Sequence, residues 1–176
     1  AFEENCRRLN GQHKNLRFAA PDLKNDGYAA WFPYLVGKTL SEKLGQIILD
    51  GQAPVETVRR AMAMVLDVRE GCEGSFAVTE EFTEVFGQLP GRLPDGTKSL
   101  DISNIDALFE NILLVGEEWF CLDYEWVFSF PIPVEYIRYR ILFYFFRQYK
   151  SLLTGYKDVE AWLGEFHITQ EAMGIY

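Results

Sequence analysis

SLDISNIDALFENILLVGEEWFCLDYEWVF, residues Ser99–Phe128, is the one stretch of this 176-residue chain that reads as chemistry rather than packing. Within it, Asp106 is followed five residues later by Asn111, then by Ile112-Leu113-Leu114, the polar turn Gly116-Glu117-Glu118 and a second apolar run, Trp119–Leu122. Asp123 ends that run, and Glu125 stands two residues on. Two short apolar runs around a glycine-containing turn predict a β-hairpin. Asp106 and Asn111 would lie in the loop entering it and Asp123 at its exit, placing three oxygen-bearing side chains at one end of a rigid ribbon.

Such a collection is costly. Two carboxylates ~4 Å apart repel by roughly 4 kcal/mol at an effective dielectric near 20, so a cation, a shared proton, or distance and water must offset the repulsion. Magnesium prefers hard oxygen donors and uses one or two carboxylates together with waters and substrate phosphates. Asn111 and Asp123 suit that role, leaving Asp106 to orient or deprotonate a hydroxyl. Asp101 competes for the place of Asp106, but its spacing to Asn111 is ten residues rather than five.

The pattern D-x-x-x-x-N-I-L, with an apolar residue and Asp further on, resembles the catalytic loop and metal-binding segment of the protein-kinase-like superfamily. It is most similar to the aminoglycoside/choline-phosphotransferase branch, where an acidic residue commonly follows the metal aspartate; here the run is Leu122-Asp123-Tyr124-Glu125-Trp126. The resemblance implies Asp106 as the catalytic aspartate, Asn111 and Asp123 as metal ligands, and Mg²⁺ and ATP as cofactors. Upstream, the run WFPYLVGKTL, Trp31–Leu40, resembles the superfamily's hinge. By that likeness the Pro33 carbonyl and Leu35 amide face the adenine, and Phe32 takes the gatekeeper place. The likeness extends from about Phe18 onward. The wording DYEWVFSFPIP before a Tyr-Arg helix also resembles a domain of large bacterial glycosyltransferase or methyltransferase polypeptides of surface-polysaccharide synthesis.

Several positions depart from the superfamily pattern. Its histidine two before the catalytic aspartate is Asn104 here, its Lys or His two after is Leu108, and the glycine that follows the metal aspartate in protein kinases is absent. No G-x-G-x-x-G and no lysine in a V-A-x-K setting precedes Asp106. The resemblance therefore implies an α+β fold in which residues 1–38 are a small-lobe remnant (a helix and two strands) with the hinge. Residues 39–176 would form a mainly helical large lobe carrying the catalytic-type hairpin.

Composition narrows the partners. Apolar residues at 48% and aromatics at 15% exclude disorder. A net charge of −9 argues against nucleic acid, which selects basic patches. A nucleotide–metal complex brings its own cation and is compatible. Cys6, Cys72 and Cys121 are odd in number and widely spaced, which supplies neither a disulfide framework nor metal spacing and suggests a reduced, cytoplasmic setting. Ala1–Asn15 is charged without an apolar core, so no signal peptide is expected. The run Ile141–Phe146, between Arg140 and Arg147, falls far short of the ~20 apolar residues of a bilayer span.

Taken in order, Phe2–Lys14 predicts a helix. Its Glu3 or Glu4 reads either as the partner of the superfamily's strand lysine or as a solvated helix start. Leu16–Ala20 and Tyr28–Val36 predict strands around the turn signal Asn25-Asp26-Gly27. Thr39 caps a helix to Asp50, Pro54 opens another to Arg69, and Thr79–Phe86 is a short third, followed by a loop over Gly87–Lys98. Pro131-Ile132-Pro133 is expected to stop any strand. A long helix, Val134–Leu153, then presents Tyr136, Tyr139, Leu142, Phe143, Phe146 and Tyr149 as an apolar band, with Arg138 or Arg140 a candidate partner for Glu125 or Asp123. Val159–Phe166 and Thr169–Tyr176 are short helices. His13 and His167 read as surface residues.

Two functions follow from these expectations. One is a phosphotransferase moving a phosphoryl group from a Mg-nucleotide to the hydroxyl of a sugar or small molecule. The other is a non-catalytic accessory or adaptor domain of a larger glycosyltransferase or methyltransferase, joined to an upstream domain or partner chain. A plain helical interaction domain with a fortuitous D-x-x-x-x-N is the third reading.

Overall fold

Helices and short strands alternate along residues 2–24 and 29–176, the part of the chain that the computed structural model describes, giving an α+β fold. The first half runs α1 (Phe2–Gln12), β1 (Leu16–Phe18), β2 (Asp22–Lys24), β3 (Ala29–Trp31), β4 (Lys38–Thr39), α2 (Leu40–Leu49), α3 (Pro54–Val65), β5 (Glu73–Ser75) and α4 (Glu80–Phe86). The second half runs β6 (Lys98–Leu100), β7 (Ser103–Asn104), β8 (Ile112–Val115), β9 (Glu118–Cys121), β10 (Val127–Phe128), β11 (Ile132–Pro133), α5 (Val134–Tyr149), α6 (Val159–Gly164) and α7 (Gln170–Ile175). No helix among the described residues is long and apolar enough to cross a membrane.

The predicted hairpin is the centre of the largest sheet, whose strand order is β1-β9-β8-β4. β8 and β9 pair antiparallel from Ile112↔Cys121 to Val115↔Glu118, about Gly116, whose φ of 62° is the left-handed conformation a tight hairpin requires. β1 joins the outer side of β9 in parallel, Leu16 opposite Trp119. β4 joins β8 antiparallel, Lys38 opposite Leu114. Gly37 permits that second junction, because a Cβ there would stand 2.1 Å from the Leu114 carbonyl oxygen.

The helices start where their caps predict. The Thr39 hydroxyl accepts from the Glu42 amide while the Glu42 carboxylate accepts from the Thr39 amide, a complete capping box. Pro54 sits in the first turn of α3, which buries Val58, Ala61, Met62 and Val65. Thr79 and Asp158 cap α4 and α6 in the same way. One core cluster spans the chain, from Cys6, Leu9, Leu16 and Phe18 to Trp162, Leu163 and Phe166.

Three expectations need correction here, and a fourth falls outside the described residues. The strand expected over Tyr28–Val36 is shortened to Ala29–Trp31, since Pro33 supplies no ladder donor and the chain leaves the strand at Phe32. The turn signal Asn25-Asp26-Gly27 falls outside the described residues. Pro133 does not exclude a strand: Ile132↔Leu100 and Pro133↔Ser99 pair at the edge of the sheet β11-β6-β5, where a missing donor is tolerated. The deepest side of α5 is Ile137, Ile141, Leu142, Phe145 and Phe146, with the expected Tyr136, Tyr139, Phe143 and Tyr149 half-buried beside it.

His13 is also not a surface residue. It is 5% exposed, its Nδ1 lies 3.2 Å from the Val65 carbonyl, and its ring packs 5.5 Å from that of Phe18. Burial holds its imidazole neutral and lowers its pKa to about 4. His167 is exposed as expected.

Candidate functional site

The site is assembled around a residue that the sequence pattern marks as a departure. Asn104, 4% exposed at the end of β7, donates from Nδ2 to the Asp123 carbonyl at 2.6 Å and to Cys121 Sγ at 3.3 Å. Its Oδ1 accepts from the Asp106 amide at 3.1 Å. One buried carboxamide thereby ties the segment entering the hairpin to the segment leaving it. The backbone repeats the link on both sides, with Ile105 N donating to Trp126 O at 3.1 Å and Leu122 N to Asn111 O at 2.9 Å. The position two before Asp106 was the available signal; its amide chemistry does what the missing histidine left open.

Asp106 is placed by that network and faces Arg140 of α5. The carboxylate Oδ1 accepts from Arg140 Nη2, and the side chains are 17% and 20% exposed. Arg140 Nε donates in addition to the Ile105 carbonyl at 2.9 Å, and its guanidinium lies over the rings of Tyr144 and Tyr136 at 5.4 and 6.0 Å. Arg140 therefore pairs with Asp106 rather than with Glu125 or Asp123, while Arg138 donates to the Phe166 carbonyl at 3.1 Å. The partner of Asp106 thus comes from a helix residue 34 positions further along the chain. Attraction of roughly 4 kcal/mol for opposite charges ~4 Å apart at an effective dielectric of 20 offsets what crowding carboxylates would cost.

Asn111 and Asp123 present the remaining oxygens. Asn111 Nδ2 donates to the Asp106 carbonyl at 2.9 Å, which commits the amide nitrogen to the fold and turns Oδ1 away from that bond. The Asp123 carboxylate is exposed, and among the described residues its side chain makes only a long contact, 3.4 Å, from the Glu125 amide. Between the two segments the Cys121 thiol is fully buried, and burial, with the Asp123 and Asp106 charges adding to it, pushes its pKa up to about 12. It is a packing residue here, and all three cysteines are free. Asp101 is exposed on the β6–β7 turn and takes no part in the network.

The hinge residues meet this region through an aromatic cluster. Tyr124, buried beside Asp123, has the rings of Phe32, Phe2 and Phe18 at 6.0, 6.1 and 5.8 Å, each close to edge-on. Its hydroxyl donates to the Ala19 carbonyl. Phe32 thus stands one residue away from the proposed metal aspartate. Among the described residues no backbone hydrogen bond engages the Pro33 carbonyl or the Leu35 amide. Pro33, Tyr34 and Val36 are exposed, Tyr34 at 93% and Val36 at 76%. Glu4, the candidate partner of a strand lysine, pairs with Arg7 at 2.6 Å in solvent, so the solvated helix start is the reading its surroundings match.

Among the described residues no group of three or more His, Cys, Asp or Glu side chains is placed to hold a metal ion. The exposed Asp123 carboxylate and the half-buried Asn111 amide are oxygen donors of the kind a hydrated magnesium ion accepts, since it keeps several waters and takes few protein ligands. Comparison of the chain with family models, curated proteins and solved structures found no match.

Proposed function

We propose that this chain is the core of a kinase-like phosphotransferase, moving a phosphoryl group from a Mg-nucleotide to a hydroxyl on a sugar or small molecule. The observation that supports this most is the Asn104 carboxamide, which fixes Asp106 and Asp123 against each other across the hairpin. In this reading Asp106, oriented by Arg140, accepts the proton of the attacking hydroxyl. Asn111 and Asp123 hold the Mg²⁺, which when bound neutralises phosphate charge. The unengaged Pro33 carbonyl and Leu35 amide receive the adenine edge, with Phe32 behind it. Catalysis would rest on positioning and electrostatics rather than on covalent chemistry.

A second reading, a non-catalytic accessory domain, is favoured by the exposure of Tyr34 and Val36, which leaves the hinge side uncovered. Thermal unfolding with ATP and Mg²⁺ separates the two. A ligand at ~100 times its dissociation constant adds about 2.7 kcal/mol, a rise of roughly 5–10 °C for a domain of this size. The phosphotransferase reading expects that rise, with its loss in Asp123→Ala. No rise in the native chain, or an equal rise in Asp123→Ala, refutes it.

A further inference from the structure

On the far side of Tyr136 from the Asp106–Arg140 pair, the chain leaves a cavity of about 120 Å³. It lies between α4, the loop that follows it, the start of α5 and the end of α7. Its walls include Phe82, Phe86, Leu89, Leu93, Tyr136 and Ile175, and among the described residues no charged side chain lines it. Leu93 is 8% exposed, yet it stands outside the main core cluster. It lines the cavity together with Phe82 of the core and with Phe86, Leu89 and Tyr136, which pack on that core.

Protein interiors are close-packed, and voids larger than a water are few. Water occupies a void only where two to four polar groups can hold it, whereas an apolar cavity of about 150 Å³ stays dry and takes up benzene. The space here is of similar size and mostly apolar, though open on one side and bordered by Gln88 and Tyr176. The aromatic walls pack on one another, Phe82 and Phe86 with ring centres 4.9 Å apart and Phe86 edge-on to Tyr136 at 6.0 Å, so that together they present one continuous aromatic surface to the cavity. At the mouth, the Tyr176 hydroxyl donates to Glu135 Oε2 at 3.0 Å, and burial together with that carboxylate raises the phenol's pKa. The Glu135 carboxylate bound to a lining tyrosine, in a chain carrying −9 overall, disfavours anions.

We propose that this cavity binds the aromatic ring of a small neutral molecule, seated against Phe86, Tyr136 and Leu93 beside the end of α7. Because Tyr136 also faces the Arg140 guanidinium that holds Asp106, the bound ring shares a wall with the proposed catalytic pair. The inference goes beyond phosphoryl transfer and does not depend on it.

The test is thermal unfolding of the whole chain with indole as the probe and benzoate as the charged comparison, without nucleotide. Indole at ten times its dissociation constant is expected to raise Tm by about 3 °C and benzoate to leave it unchanged. Leu93→Phe, which fills the cavity, is expected to remove the indole response. Ile175→Phe, in the last turn of α7, carries the same test should Leu93→Phe fail to fold. The Asp123→Ala chain is expected to respond to indole like the native one, so loss of nucleotide binding and loss of ring binding are read separately. No rise with indole up to its solubility overturns the proposal. So does an undiminished rise in the filled variants, or an equal rise with benzoate.

Discussion

The hairpin and the segment that leads into its neighbouring strand β4 differ in how they are held. The segment from Asn104 to Trp126 is closed by side-chain and backbone hydrogen bonds on both sides, with Arg140 brought in to neutralise Asp106. The segment from Phe32 to Val36 has aromatic and aliphatic side chains in solvent and joins the sheet only after Gly37, where β4 meets β8. The first is stabilised from within, so its geometry is a property of the fold. The second keeps its backbone groups available, which is the condition of a surface that gains partners on binding.

Asn104→Leu should break the contrast most severely. It leaves the Asp106 amide without its partner and the Asp123 carbonyl with only the weak Cys121 thiol donor at 3.3 Å, at about 1–3 kcal/mol for each group affected. Stability should fall by about 4 kcal/mol, a drop in Tm of roughly 8–16 °C, measured by denaturant and thermal unfolding. A loss within 1 kcal/mol would mean that the hairpin is held by its backbone alone.

Acid should loosen the hairpin side next. His13 titrates near pH 4 in the fold against 6.5 when free, so the unfolded chain binds the extra proton between those values. Its contribution is whole above pH 6.5 and is lost as pH falls toward 4, about 3 kcal/mol at about 1.4 kcal/mol per unit. Equilibrium unfolding of the native chain and of His13→Phe across that range checks it: the slope should be smaller in the variant.

The smallest effect belongs to the hinge. Tyr34→Ser removes a side chain that is 93% exposed and should change stability by no more than about 0.5 kcal/mol. If nucleotide binds there, the same substitution should leave affinity little changed, because the proposed adenine contacts are backbone groups of Pro33 and Leu35. A large destabilisation in Tyr34→Ser would show that the hinge is packed after all and erase the difference between the regions.

Much of the frame was legible because it is written in local signals. Gly116 between two apolar runs specifies the hairpin, Thr39 with Glu42 specifies a helix start, and Pro54 specifies another. What escaped is long-range. The pairing of β1 with β9, and of Arg140 with Asp106, joins residues whose separation leaves no periodicity to read. Strands of two or three residues, such as β5, β6 and β11, are too short for alternation to announce them. Asn104 looked like a loss because the pattern expects an imidazole, whereas an amide that donates and accepts at once satisfies both neighbouring segments. His13 looked exposed because its cover comes from α3 and β1 rather than from its own helix.

The parallel docking of β1 against β9 has a consequence for the order in which the molecule is made. Leu16 and Trp119 are about a hundred residues apart in the chain. At a ribosome adding roughly 5–20 residues per second, the first strand waits on the order of ten seconds for its partner to emerge. During that interval Leu16 and Phe18, both buried in the finished protein, lack the strand that covers them. The nascent polypeptide must therefore be shielded early, and its sheet closes only when the hairpin arrives.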